Sequence, residues 1–258
     1  MTVEVDFSRR FGGVARLYGA AGLEKLQQSH CVVVGIGGVG SWAAEALARN
    51  AVGKITLVDL DNIAESNFNR QLHAIDGNVG KAKITAMRER ILHINPACQV
   101  QEIEDFVSPT NIQTLLNFSF DGLLDCIDQA EAKAALAAFC QNHKTPFVMA
   151  GGAGGRLDPT KIQVADLSQV NNDKLLAKVR TLLRSSYAYP KGNSNPKKTQ
   201  KMHLTCVFSD EVAQKPETAC ATDAISGLNC AGYGSSVCVT APMGFALVAQ
   251  LIEQLLSA

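Results

Sequence analysis

No two cysteines in this chain are separated by only two residues. The eight thiols stand at 31, 98, 126, 140, 206, 220, 230 and 238. Short-spaced cysteine pairs are the signature of a four-thiolate zinc site, and their absence argues against one. No Gly-x-x-x-x-Gly-Lys-Ser/Thr run occurs, which disfavours a P-loop ATPase. The opening Met1 to Arg10 is polar and charged, so a secretory leader is not expected. Together with several cysteines set in apolar stretches, this predicts free thiols in a reducing cytoplasm. Net charge is also missing, with 24 Lys and Arg against 24 Asp and Glu, and no internal repeat is visible. A long uncharged run from Ala224 to Ile252 could by length cross a bilayer. Gly232, Gly234, Ser235, Ser236, Thr240 and Pro242 interrupt it, and no basic residue flanks it. A buried loop and core helix is the expectation, without membrane insertion.

The 258 residues, 47% hydrophobic and 19% charged, have ordinary globular composition. Apolar runs alternate with helical patterns through the first half. Strands are predicted at His30 to Gly35, Lys54 to Asp59, Gln99 to Ile103, Gly122 to Cys126 and Pro146 to Ala150. Helices are predicted at Ser41 to Asn50, Gly80 to Ile94, Pro109 to Asn117 (capped by Ser108) and Ala130 to Asn142. Beyond residue 150 the alternation breaks. A glycine-rich run, Gly151 to Gly155, precedes a predicted hairpin over Arg156 to Leu167 with Asp158-Pro159 in its turn. A basic helix follows at Asn172 to Ser185, then a strand at Leu204 to Phe208 and a last helix within Val239 to Leu256. The fold class is therefore α/β. We expect a Rossmann-like, mostly parallel sheet flanked by helices, with a C-terminal antiparallel extension. A single domain over 1–258 would comprise a nucleotide-binding core (1–150) and an extension (151–258) carrying a basic mobile loop near 186–201.

The first βα unit holds Gly35-Ile36-Gly37-Gly38-Val39-Gly40. Glycines there let the backbone turn sharply and approach a phosphate, to which the next helix offers unpaired N–H groups. Asp59 ends the second strand, where a carboxylate can accept ribose hydroxyls. The block Ser66-Asn67-Phe68-Asn69-Arg70-Gln71 and then Lys83 place amides and cations where a triphosphate needs them. A nicotinamide dehydrogenase requires none of these, so ATP spent on activating a carboxylate is favoured over hydride transfer. Asp125 and Asp128 end the fourth strand. Asp128 is placed to hold Mg2+ beside phosphate oxygens, and Asp125 reads as a partner for backbone groups. His73 and His203 have no activating neighbour and read as ordinary buried or surface histidines.

GIGGVGS, the DLD and SNFNRQ blocks, VGKAK and LLDCID resemble the family of ubiquitin-like-protein activating enzymes and their bacterial relatives, which adenylate carboxylates. The likeness is clearest over residues 10–150. It implies that Asp59, within the block that also holds Asp61, binds ribose. Asn67, Arg70 and Lys83 would contact phosphates, with Gln71 beside them, and Asp128 would serve the metal. It also implies a homodimer in which an N-terminal arginine reaches the partner's phosphates, Arg16 being the first choice and Arg10 the second. RFGGVARLYG, GIGGVGSWAAEALAR, GGAGGRLDPTKIQVADL and the tail around Cys230 are similar to one branch, whose members dehydrate threonylcarbamoyladenosine in tRNA. That branch implies ATP and Mg2+ as cofactors and a modified tRNA as substrate. Its ring closure consumes an adenylated threonyl carboxylate.

Between Lys174 and His203 lie eight basic residues and no acid, leaving the other residues with sixteen basic and 24 acidic groups. Such a segment, with Tyr187 and Tyr189 as stacking candidates, suits an RNA backbone. Cys230, among small neighbours, reads either as a nucleophile like that of thioester-forming relatives or as a packed structural thiol. Two other functions compete: activation of a small sulfur-carrier protein, with sulfur-transfer partners, and a nucleotide-sensing scaffold without catalysis. The missing zinc cysteines count against the first. The joint presence of Arg70, Lys83 and Asp128 counts against the second.

Overall fold

The computed structural model describes residues 6–192, 200–214 and 233–257. The chain enters through α1 (Phe7–Gln28), capped by the Asp6 carboxylate, which accepts the Arg9 N–H at 2.9 Å. The helix kinks at Gly19, where φ is 79°, and buries only Phe11 and Leu26. Sequence periodicity assigned nothing here, since glycines at 12, 13, 19 and 22 blur the helical signal. Then come β1 (His30–Val34), α2 (Gly40–Arg49), β2 (Lys54–Val58), α3 (Lys83–Ile94), β3 (Gln99–Ile103), the short α4 (Ile112–Leu115), β4 (Gly122–Asp125), α5 (Ala130–His143) and β5 (Phe147–Ala150). The remaining elements are β6 (Ile162–Asp166), α6 (Lys174–Ser186), β7 (Thr205–Ser209) and α7 (Val237–Ser257).

One seven-stranded sheet runs β3-β2-β1-β4-β5-β7-β6. Every pairing is parallel except that of β6 with β7. Alternate strand residues feed two cores. Val33, Leu57, Leu124 and Val148 pack with α2, α3 and α7 on one face. Val32, Leu123, Phe147 and Cys206 pack with α5 and α6 on the other. Central strands covered on both faces read as unbroken apolar runs, which explains the fully buried β1.

The predicted hairpin over Arg156 to Leu167 does not form. Asp158 instead caps a 3-10 turn at Pro159–Lys161, and β6 finds its antiparallel partner in β7, with Ile162 opposite Ser209 and Asp166 opposite Thr205. A strand pair this distant in sequence leaves no turn signal between its members. Since β7 also pairs parallel with β5, the C-terminal strands extend the same sheet. Helix α7 carries the uncharged run. It is long and apolar enough to cross a membrane by length and composition, yet Val239, Met243, Leu247 and Leu251 are buried in the core against the sheet and α2.

Candidate functional site

The strand order reverses between β1 and β4, and ligands in open parallel sheets bind beyond the carboxyl ends of the strands at that point. A cavity of about 1010 Å³ opens there. One lobe is walled by Gly35, Gly37, Gly38, Asp59, Asp61, Arg70, Gln71, Lys83 and Asp128. The second lies beyond the end of β5, between the Gly151–Arg156 segment and the start of α6.

The glycine loop is fixed by sterics and by Asp59. Gly35 has φ 86°, and a Cβ on Gly40 would overlap the Gly35 carbonyl oxygen. Gly40 therefore lets helix and loop pack closely and is not itself on the cavity wall. Asp59 Oδ2 accepts the Ile36 N–H at 2.6 Å and Oδ1 accepts the Asp61 N–H at 2.9 Å. Burial raises the Asp59 pKa, opposed by the Lys83 charge and these two amides. Lys83, buried at the first turn of α3, donates to Asp61 Oδ2 at 2.6 Å.

The polar block after β2 divides its labour. Arg70 Nη1 donates to the Ser66 carbonyl at 2.6 Å and to Asn69 Oδ1 at 2.9 Å, while the Arg70 carbonyl accepts Trp42 Nε1–H at 3.1 Å. Partial burial lowers the Arg70 pKa. Gln71 is buried, lines the cavity, and has no partner for Oε1. Asn67 Oδ1 accepts the Ala64 N–H at 3.0 Å, holding the 3-10 turn at Glu65–Asn67, and the residue is not on the wall. A short amide beside a turn competes for backbone donors, and that local bond fixes its orientation.

Asp125 meets a backbone group as expected, and a buried lysine as well. Besides accepting the Ile127 N–H at 3.3 Å, its Oδ1 lies 3.0 Å from Lys133 Nζ, with both side chains fully buried. Burial raises the Asp125 pKa against the attraction of Lys133. Lys133 also donates to the carbonyls of Asp125 at 3.4 Å and Ile127 at 3.1 Å. It thereby staples the β4–α5 turn that carries Asp128 to the cavity. Cys126 is on the wall as well, but burial pushes its thiol up to about 12, so it stays protonated.

Arg16 is exposed on α1, its guanidinium lying over Gly12, and is not on its own chain's wall. Arg10 is tied to the Ile94 carbonyl at 2.9 Å. Cys230 and the Lys197-Lys198 pair lie outside the described residues. His73 is buried, its pKa lowered to about 4 by desolvation and then by Lys83, and His203 is exposed. The basic segment is less available than its count suggests. Arg180 holds the Leu167 and Val170 carbonyls, Arg184 holds that of Pro190, and Lys178 pairs with Glu131. Lys174 lines the cavity, and Lys191 and Lys201 are exposed. Tyr187 is exposed, whereas Tyr189 is partly buried against the core.

The second lobe was not anticipated as a site. Asp173 accepts the Gly152 N–H at 2.8 Å through Oδ2 and caps α6 through Oδ1, bonded to the Leu176 N–H at 2.9 Å. Arg156, 3% exposed, donates Nη2 to the Asn172 carbonyl at 2.7 Å. The glycine run was its only sequence signal, and it did not say which polar residues would close around it.

Among the described residues no group of three His, Cys, Asp or Glu side chains could hold a metal by itself. Mg2+ is commonly held by one or two carboxylates plus substrate phosphates. A nucleotide-borne ion taken up by Asp128 therefore suits the donor set, and an all-protein cage does not.

The tRNA threonylcarbamoyladenosine dehydratase of Haemophilus influenzae is 45% identical over 254 residues, covering 97% of this chain and 95% of that protein. The enzyme of that name from Escherichia coli is 44% identical over 257 residues, covering 96% and 94%. Its crystal structure in complex with ATP matches with a TM-score of 0.87 and 42% identity, covering 100% of this chain and 98% of that one. The Escherichia coli molybdopterin-synthase adenylyltransferase is 33% identical over 137 residues, covering 53% of this chain and 54% of that protein. The ThiF family profile matches residues 8–256, and the chain belongs to the ThiF family.

Proposed function

We propose that this protein uses ATP to dehydrate N6-threonylcarbamoyladenosine next to the anticodon of tRNA. The observation that carries the reading is the near full-length likeness to the Escherichia coli dehydratase solved with ATP. The chemistry follows from the carboxylate. Its oxygen is a poor leaving group, so the threonyl carboxylate attacks the α-phosphorus and pyrophosphate departs. The carbamoyl group then attacks the acyl-adenylate carbonyl, the ring closes, and the lost oxygen leaves in AMP. The second step is intramolecular and gains from proximity.

Glycines 35, 37 and 38 and the start of α2 receive phosphate, and Asp59 takes the ribose. Arg70 and Lys83 offset charge on the departing pyrophosphate, with Gln71 beside them. Asp128 would hold Mg2+ arriving with the nucleotide, and that ion would supply neutralisation of phosphate charge. A homodimer belongs to the same proposal: Arg16 is exposed and off its own chain's wall, so its action on phosphate requires the cavity of a second copy. Exposed groups of the basic segment, Lys191, Lys201 and Tyr187, support tRNA contact. Cytoplasmic location follows from that substrate. Activation of a sulfur-carrier protein is the second reading, favoured by the partial match to the molybdopterin-synthase adenylyltransferase. Cys230 would bear on that reading, since intramolecular ring closure needs no thioester.

The purified protein should convert ATP to AMP and pyrophosphate only with tRNA carrying the threonylcarbamoyl group, and that tRNA should lose the mass of one water. ATP–pyrophosphate exchange driven by a carrier protein, with none from modified tRNA, would transfer the assignment to the second reading.

A further inference from the structure

The Arg70 carbonyl belongs to no helix or strand, and among the described residues no backbone N–H donates to it. A partly buried carbonyl in that position needs its donor from a side chain. Trp42 supplies one: the indole Nε1–H donates at 3.1 Å. The Thr240 hydroxyl stands farther off, at 3.5 Å. Trp42 lies in the first turn of α2 and is the chain's single tryptophan. The indole is itself clamped from α7. Phe245 stands edge-on to it, with ring centroids 6.0 Å apart and planes at 86°. One residue earlier, a Cβ on Gly244 would lie 3.0 Å from the Trp42 Cβ, so the two helices touch beneath the ring. A Trp N–H in such a half-buried place takes the acceptor offered to it.

We infer that Trp42 is a positioning residue for Arg70, holding the backbone from which the guanidinium reaches the phosphates. The inference rests on the phosphate role proposed above and adds what aims that side chain. Arg70 is tied at both ends. Its Nη1 is fixed by the Ser66 carbonyl and Asn69 Oδ1, and its own carbonyl by the indole. Between these ties its stem passes over the glycine loop, where a Cβ on Gly38 would come within 3.3 Å of the Arg70 Cγ. Without the indole donor, the peptide between Arg70 and Gln71 is free to rotate, and both residues line the cavity. A small rotation at the root of a long side chain is a larger displacement at its tip, and misplacement of that kind is felt in rate. Because Arg70 offsets charge on the departing pyrophosphate, the loss falls on turnover and not on affinity for AMP, which lacks the two terminal phosphates.

The test is a double-mutant cycle of Trp42→Phe and Arg70→Ala, read as pyrophosphate release with modified tRNA. Phenylalanine keeps an aromatic ring against Phe245 and removes the N–H. W42F should release pyrophosphate roughly three- to tenfold more slowly, the worth of one neutral hydrogen bond, with AMP affinity held. In the R70A background the same substitution should cost nothing further. Emission from Trp42 gives a second measurement that survives if W42F does not fold: saturating ATP should shift it in wild type and not in R70A. An equal fractional loss from W42F in both backgrounds would overturn the inference, as would an emission shift absent from wild type or unchanged in R70A. Full turnover by R70A itself would sink the phosphate role of Arg70, and the inference with it.

Discussion

Replacing Lys133 by Met tests the staple beneath the active-site turn. Lys133 and Asp125 are both fully buried and 3.0 Å apart. Met keeps most of the side-chain volume and removes the ammonium, leaving the Asp125 carboxylate in the core with only the Ile127 amide at 3.3 Å. Breaking a buried pair from one side costs about 3–5 kcal/mol. For a domain of this size each kcal/mol shifts Tm by roughly 2–4 °C, so K133M should melt on the order of 6–20 °C lower by calorimetry at neutral pH. The pH dependence has a definite sign. Burial already raises the Asp125 pKa, and loss of Lys133 raises it further. The folded variant then binds a proton that the unfolded chain does not across the window between the two pKa values. Stability in that window falls as pH rises, so the deficit of K133M should shrink on acidification. Adding Asp125→Asn removes the charge and should recover most of the loss at neutral pH. A K133M protein that melts with wild type, or a double variant no better than K133M, would refute a stabilising pair.

Two further outcomes follow from the site. Arg70→Ala removes charge-assisted donors worth about 1.5–3 kcal/mol each, so AMP formation should fall at least ten- to hundredfold in a pyrophosphate-release assay with folding intact; normal turnover would remove Arg70 from the phosphate site. His73, held neutral with a pKa of about 4, is protonated more readily when unfolded. Its contribution is complete above pH ~6.5 and is lost as pH falls toward 4, about 3 kcal/mol in all. His73→Asn should flatten the fall of Tm with acid over that range, and parallel wild-type and variant curves would dismiss it.

The nucleotide half was legible because its information is local. Apolar runs mark doubly covered strands, and the spacing of Gly35, Gly37 and Gly40 marks a loop whose close approach the sterics confirm. What stayed hidden depends on distant partners. Strand β6 pairs with β7 across some forty residues of sequence. Lys133 sits in an alanine-rich helix, where a lysine ordinarily faces solvent; the Asp125 carboxylate eight residues upstream, with the Asp125 and Ile127 carbonyls, makes its burial tolerable. Asn67 Oδ1 is taken by a backbone amide three residues away, a bond its sequence position did not announce. Composition identifies a donor or acceptor without revealing which neighbour already uses it.

That distinction bears on how the nucleotide lobe works, because its groups are each partly engaged. The two protons of Arg70 Nη1 go to Ser66 and Asn69, which leaves the Nε–Nη2 edge as the pair of donors that can meet a phosphate side-on. Lys83 gives one proton to Asp61 and keeps two, from a side chain too buried to swing away. Asp59 accepts one amide on each oxygen and retains a lone pair on each for a ribose hydroxyl. In every case the protein's own bond fixes the orientation and leaves the ligand's bond to be made. Donors held this way need little reorganisation when charge develops on the leaving pyrophosphate, which is where electrostatic catalysis gains most.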